Sequence, residues 1–191
     1  MALYTSNYLK NLSQRTPLNE SQRMFSESKS KTSFDIFLCH SFLDKDEVKG
    51  LFIELTKMGF SVYVDWIVDP QLDRNNVTKE SATIVRNRLH SSKSLLLAIS
   101  VNASISKWMP WELGYVDGHT SNCAIVPVSR DATPPSSYKG VEYLSLYPFI
   151  SRIEDTNNQM RLWTVEQADK FVLFESWVGG TKPFSRNQRI F

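Results

Sequence analysis

Two rhythms of apolar residues alternate along this chain: short continuous runs, and sets spaced three and four apart. The run Phe34 to Cys39 predicts a first strand. Asp44 with Glu47 three residues on then has the arrangement of an N-cap and its reciprocal partner. Val48, Leu51, Phe52, Leu55 and Met58 fall on one helical face, and Gly59 stops that helix. Phe60 to Val64, rich in β-branched and aromatic residues, predicts a second strand. Asp65 to Val77 reads as a loop containing Pro70, after which Thr78 caps a second helix carrying Ala82, Val85 and Leu89. Ser94 to Ile99 is apolar without alternation, as a central parallel strand covered on both faces should be. Cys123 to Val128 predicts a fourth strand, in which Pro127 favours an end or an edge. Val141 to Leu146 predicts a short fifth. Val165, Ala168, Phe171, Val172 and Glu175 predict a closing helix, with Trp177 near its end.

Strands and helices in alternation imply an α/β domain: an open, mostly parallel sheet with right-handed crossovers and helices on both faces. In such sheets ligands bind beyond the carboxyl ends of the strands. His40 and Ser41 fall there after the first strand, Asp65 and Trp66 after the second, and Trp108 with Glu112 after the third. Residues 1–33 are polar and end in the Ser- and Lys-rich stretch Ser26 to Ser33, which reads as an extension and linker. Tyr4, Tyr8 and Leu12 make one side of a short helix before it, which must dock on something to persist. The expected division is therefore 1–33 extension, 34–180 domain and 181–191 tail.

Composition removes several function classes. With 191 residues the chain fits one domain, and 22 basic against 20 acidic residues leave a formal charge of +2. Nothing in that spread points to nucleic acid or an anionic membrane. The first residues lack a basic start and an apolar run, and the longest strongly apolar stretch, Leu95 to Ile99, is far short of a membrane span, so a cytoplasmic protein is expected. Cys39 and Cys123 have no His or Cys at metal spacing; they read as buried reduced thiols, and no metal site is expected.

The chemistry-bearing pair is Trp108 and Glu112. Four residues is one helical turn, so an indole and a carboxylate project from the same face. An aromatic plane beside an acid suits a flat cationic heterocycle and chemistry on the sugar attached to it. Taken alone, the pair reads as well as a half-buried anchor beside a solvated acid.

In order along the chain, Phe34-Asp35-Ile36-Phe37-Leu38-Cys39-His40-Ser41 with Asp44-Lys45-Asp46, then Phe60-Ser61-Val62-Tyr63-Val64-Asp65, Ser94 to Ser100, and Ser106-Lys107-Trp108 running to Glu112-Leu113, resemble a Toll/interleukin-1 receptor (TIR) domain of the bacterial, NAD-consuming type. The resemblance covers about residues 34–150. It implies a flavodoxin-like five-stranded sheet and an NAD+ glycohydrolase or cyclase, with Glu112 as the catalytic acid and Trp108 as the aromatic residue beside it. It places His40, Ser41 and Phe42, then Asp65 and Trp66, around the nucleotide. NAD+ is then the substrate, and no cofactor is implied.

Residues 66–77 stand where the family's BB loop joins protomers, so self-association of TIR domains is implied. Here Asp69 to Asn76 replace the usual Leu-x-x-Gly, and Ser41 or Phe42 stands where some members carry Arg. A small chain with no effector domain attached resembles the stand-alone TIR proteins of Thoeris anti-phage systems, whose diffusible product is sensed by a downstream effector. The alternative is a non-catalytic module that only assembles with its own kind. Product identity stays open among ADP-ribose, a cyclic isomer and a conjugate. Each residue also has a plainer role: His40 as a hydrogen-bonder at the sheet end, Asp65 as a turn former, and Trp66 and Trp111 as packing residues.

Overall fold

The computed structural model describes residues 2–73, 76–100, 102, 106, 108–130, 142–155 and 157–185. The chain opens with β1 (Tyr4–Thr5), α1 (Ser6–Arg15) and α2 (Leu18–Lys29). The alternating body follows: β2 (Phe34–Cys39), α3 (Lys45–Lys57), β3 (Val62–Tyr63), α4 (Asp65–Val68), α5 (Lys79–His90), β4 (Ser92–Ile99), α6 (Trp108–His119) and β5 (Cys123–Ser129). It closes with β6 (Phe149–Glu154), β7 (Met160–Gln167), β8 (Lys170–Leu173), α7 (Phe174–Val178) and β9 (Phe184–Ser185).

The sheet runs β3-β2-β4-β5-β6-β7-β8-β9. Its first five members pair in parallel, as an α/β fold of this kind requires, and the last three extend it antiparallel. Strands β2, β4 and β5 carry the centre, where Ile36, Phe37, Leu95, Leu96, Ala124 and Ile125 are fully buried. Gly59 does what its place suggests: at φ +95° it lets Phe60 N–H donate to the Leu55 carbonyl and its own N–H to Thr56, the closing bonds of a Schellman turn after α3. Thr78 caps α5, accepting from Ser81 N–H at 3.1 Å while Ser81 Oγ accepts from Thr78 N–H at 2.9 Å.

Four expectations change. The strand placed at 141–146 is a 3₁₀ turn over Glu142–Leu146, with Val141 outside the described residues, and the fifth parallel strand is β6. The closing helix is instead the hairpin β7–β8 followed by the short α7. In β7 Leu162 and Thr164 are buried while Trp163 between them is only partly so, which is the two-residue period of a strand. Asp65–Val77 is not all loop, since α4 makes one turn at its start.

The stretch read as a polar linker is helix α2. Ser21, Met24 and Ser28 are buried along one side of it, Phe25 packs edge-on to Phe52 with ring centroids 5.4 Å apart, and Ser28 Oγ donates to the Val62 carbonyl at 2.9 Å. Small serines let this helix lie close, with Met24 and Phe25 turned toward the domain while Leu18 at its start is exposed.

The N-terminal strand fills a gap in the sheet. β6 pairs with β5 at Ile125, whereas β1 pairs in parallel with Val128 and Ser129 further along β5, and Ala2 exchanges two 2.9 Å backbone bonds with Arg152 of β6. Pro127, which has no N–H to give, falls between the two pairings.

Candidate functional site

The site begins where β2, β3 and β4 end on the same side of the sheet. His40, just past β2, is buried, with Nδ1 2.9 Å from the Leu38 carbonyl and Nε2 3.5 Å from Asp65 Oδ1. Asp65 opens α4 and is buried too; its Oδ1 accepts from Trp66 N–H at 2.7 Å. Ser41 is buried and its hydroxyl accepts from Leu43 N–H at 3.4 Å, opening a 3₁₀ turn over Phe42–Asp44. Phe42 by contrast is 61% exposed.

Phe42, Asp65 and Trp66 share a cleft of about 470 Å³ with Lys45, Pro70 and Leu72. Lys45 Nζ sits 5.0 Å from the centroid of the Trp66 ring, within cation–π range. That indole also meets Phe25 of α2 edge-on at 5.9 Å, and its Nε1 is buried with no hydrogen-bond partner among the described residues. Trp66 therefore serves packing and lines the cleft at once.

Trp108 and Glu112 come from the first turns of α6, the helix that follows β4. Glu112 is 1% exposed and Trp108 is 7% exposed, so the acid is withdrawn from bulk water next to an indole that is nearly so. In such surroundings a carboxylate acts on a developing positive charge through a low effective dielectric, where the same charge pair is worth several times its value in water. Trp108 meets Trp111 edge-on at 5.6 Å. With Trp111, Tyr115, Val77, Ala82 and Arg86 it lines a second cleft of about 610 Å³ between α5 and α6.

The structure thus gathers His40 with Asp65, and Phe42 with Asp65 and Trp66, in one place, while Trp108 walls a different cleft. Trp111, read from sequence as packing, is 39% exposed along that wall.

Other polar residues that shape this end of the domain were missed. Asp44 makes no side-chain cap bond to α3; its carboxylate instead accepts from Ser100 Oγ and Asn102 Nδ2, tying the end of β2 to the chain leaving β4. Glu47, its expected partner, accepts from Ser6 Oγ at 2.6 Å and pairs with Lys10 at 3.2 Å, both on α1. Asp69 is buried after α4 and takes a two-pronged bond from Arg88 at 2.8 Å in each arm, plus Tyr63 OH at 3.0 Å. That hydrogen-bonded carboxylate holds the Arg88 guanidinium above its ordinary pKa. Tyr115 and Arg86 carried a weak signal, lying at helical spacing from Trp108 and from Ala82. Asp44 carried only the misleading signal of an N-cap and Asp69 carried none, because their partners are remote in sequence.

Cys39 and Cys123 are both buried, and burial, with Asp117 nearby, pushes the Cys123 thiol up to about 12. Among the described residues no cluster of three or more His, Cys, Asp or Glu could hold a metal ion, and no helix is long and apolar enough to cross a membrane.

Comparison with known proteins finds relatives of the chain. A Bacillus cereus (strain MSX-D12) protein named probable 3' cyclic ADP-D-ribose synthase ThsB' is 47% identical over 146 residues, which is 76% of this chain and 75% of that protein. TIR2 of Cytobacillus dafuensis, named as a putative cyclic ADP-D-ribose synthase, is 29% identical over 102 residues, covering 52% of this chain but only 27% of its own length. Among solved structures, the TIR domain of the Toll-related receptor TRR-2 from Hydra magnipapillata has a TM-score of 0.40 at 17% identity, over 58% of this chain and 77% of that one, a likeness too slight to carry an argument. No family model matches the chain.

Proposed function

This chain belongs to the bacterial TIR family that includes ThsB', and on that premise we propose that it cleaves the bond between nicotinamide and ribose in NAD+ and cyclises the ADP-ribosyl part. The observation that carries the reading is Glu112, 1% exposed and one helical turn from the indole of Trp108.

In this reaction the glycosidic C–N bond breaks and its electron pair goes to the ring nitrogen, so the pyridinium leaves as neutral nicotinamide. Positive charge builds on the ribosyl carbon. A buried carboxylate stabilises that charge more in the transition state than in the ground state, which is what accelerates the step. Glu112 takes this role, directly or by bonding the ribose hydroxyls, as carboxylates do in glycoside cleavage. Trp108 offers a face to an aromatic ring, worth about 0.5 to 2 kcal/mol once desolvated. The carbon is then captured by an oxygen or nitrogen of the same molecule, which loses its proton and closes a ring, or by water, which gives ADP-ribose. His40, Ser41, Phe42, Asp65 and Trp66 bind the nucleotide. The cyclic product acts as a diffusible signal to a downstream effector in anti-phage defence, in the cytoplasm, as the resemblance to Thoeris proteins suggests.

Incubating the purified chain with NAD+ and resolving products by mass spectrometry tests this. Nicotinamide with a cyclic ADP-ribose isomer is expected, and Glu112→Gln should lower the rate by about a hundredfold or more. Nicotinamide release that survives Glu112→Gln unchanged overturns the assignment of the acid.

A second reading, an assembly module of TIR domains, is favoured by the adjacent Phe42 and Leu43, exposed at 61% and 62%. The two readings separate by sedimentation of Phe42→Ser beside its rate of nicotinamide release.

A further inference from the structure

Two helix faces that the catalytic reading uses only at Trp108 meet in one groove. Ala82, Arg86 and His90 recur every four residues on α5, and Trp108, Trp111, Tyr115 and His119 recur at three and four on α6, so each set lies along one side of its helix. The cleft of about 610 Å³ lies between them, within the size range of small-molecule sites. Tyr115, which lines it, stacks on His119 with centroids 4.5 Å apart, and His90 stands edge-on to both at 5.4 Å. Among the described residues the cleft is walled by Trp108, Trp111 and Tyr115 of α6, by Ala82 and Arg86 of α5 and by Val77 just before α5.

Among the described residues Arg86 is the one charged group lining this cleft. Its Nε donates to the Ala82 carbonyl of its own helix at 3.4 Å, and among the described residues it meets no carboxylate. Aromatic walls with one unmatched guanidinium select a flat ring that carries an anion. They also tell the two ends of a pyridine dinucleotide apart. A cationic pyridinium is repelled by Arg86, whereas a neutral purine next to a phosphate is not.

We infer that this cleft is an adenine-nucleotide site, with the purine against Trp111 and a phosphate on Arg86. The inference rests on the nucleotide reading above and adds the end of the molecule that the acid does not handle.

Calorimetric titration of the full chain with AMP, adenosine and ribose 5-phosphate tests it without turnover. AMP should bind more tightly than either fragment. Trp111→Ala should weaken AMP about tenfold or more, and Trp111→Phe should keep most of the affinity. Arg86→Gln should bring AMP down to the level of adenosine and leave adenosine unchanged. No AMP binding, or wild-type AMP affinity in both Trp111→Ala and Arg86→Gln, overturns the inference. So does a change in sedimentation of Trp111→Ala with AMP affinity unaltered, which would make the groove a contact between copies.

Glu112→Gln, which tests the catalytic reading, should leave AMP binding intact. AMP binding without nicotinamide release would therefore defeat the catalytic reading and spare this site, and the reverse result would do the opposite. If AMP competes with NAD+, raising only KM, the site holds the adenine end of the substrate. If AMP lowers kcat alone, it holds a second nucleotide.

Discussion

Asp44 and Asn102 stand 58 residues apart in the chain and 2.7 Å apart in space, the carboxylate of the first accepting from the amide Nδ2 of the second. Ser100 Oγ donates to the other carboxylate oxygen at 2.5 Å and itself accepts from Asn102 N–H at 2.9 Å. This knot, built on an aspartate 4% exposed, fastens the passage from β4 to α6 against the end of β2. Trp108 and Glu112 ride on the first turns of α6, so their placement is only as firm as the passage that delivers them.

Removing the knot should therefore cost both stability and rate. Asp44→Ala leaves the Ser100 hydroxyl and the Asn102 amide without their acceptor, a loss of about 1 to 3 kcal/mol in urea unfolding. For NAD+ cleavage kcat should fall more than KM rises, and Asp44→Asn, whose amide oxygen still accepts, should recover part of the loss. A well-folded Asp44→Ala with wild-type kcat would show that α6 needs no such fastening.

The N-terminal helix α1 lies hard against α3. A Cβ on Gly50 of α3 would lie 2.1 Å from the Leu9 carbonyl oxygen of α1, a backbone clash that no side-chain rotation relieves. Beside it, Arg152 pairs with Glu54 at 3.0 Å, donates to Tyr8 OH at 2.8 Å and lies over the Tyr8 ring at 4.0 Å. Gly50→Ala should push α1 off α3 and destabilise by about 1 to 3 kcal/mol. Limited proteolysis should then cut within residues 2–16, where the wild type should resist cleavage. Equal protection in both would mean that the helices part without cost.

Much of this was open to reading in the residues themselves, and the failures have physical causes. Phe34–Cys39 and Ser94–Ile99 were legible because strands covered on both faces must be apolar throughout. Residues 165–175 were not, because Val165, Ala168, Val172 and Glu175 fit a helical period as well as the hairpin they form. Helix α2 escaped because two of the residues it buries, Ser21 and Ser28, read as solvent-facing. At the site, Trp108 and Glu112 could be paired from spacing alone, since one helical turn brings them together. Asp44 could not: its partners are 56 and 58 residues away, and the Glu47 that looked like its capping mate belongs to α1.

The loop after α4 is anchored rather than free at its start. Asp69 is 5% exposed and held by both arms of Arg88 and by Tyr63 OH, so residues 70–73 leave from a fixed point on α5. Arg88→Met removes the cation and strands a buried carboxylate, which should cost about 3 kcal/mol. Asp69→Asn/Arg88→Met, with no stranded charge, should regain part of that in a double-mutant cycle. Because Pro70 and Leu72 line the cleft with Asp65 and Trp66, KM for NAD+ should rise in Arg88→Met. A KM that stays fixed while stability drops would separate this loop from substrate binding.

Alkaline stability is set by groups whose protons the fold holds more tightly than the unfolded chain does. Burial first, then the Glu54 carboxylate, pushes the Tyr8 phenol from 10.0 up to about 12. Burial first, then the hydrogen bond to Asp117, does the same to Tyr147, and burial, then Asp117, moves the Cys123 thiol from 9.0 to about 12. In each case the native state keeps a proton that the unfolded chain releases at lower pH. The sign follows: the stabilisation is complete below the unfolded values and is lost as pH rises toward the folded ones. Thermal unfolding followed by circular dichroism should accordingly show a Tm that these groups leave flat up to about pH 9 and that falls increasingly toward about pH 12. Cys123→Ala should delay the onset to about pH 10, where the tyrosines begin to act, whatever its effect on the neutral-pH Tm. An onset unmoved by Cys123→Ala would mean that the buried thiol takes no part in the alkaline transition.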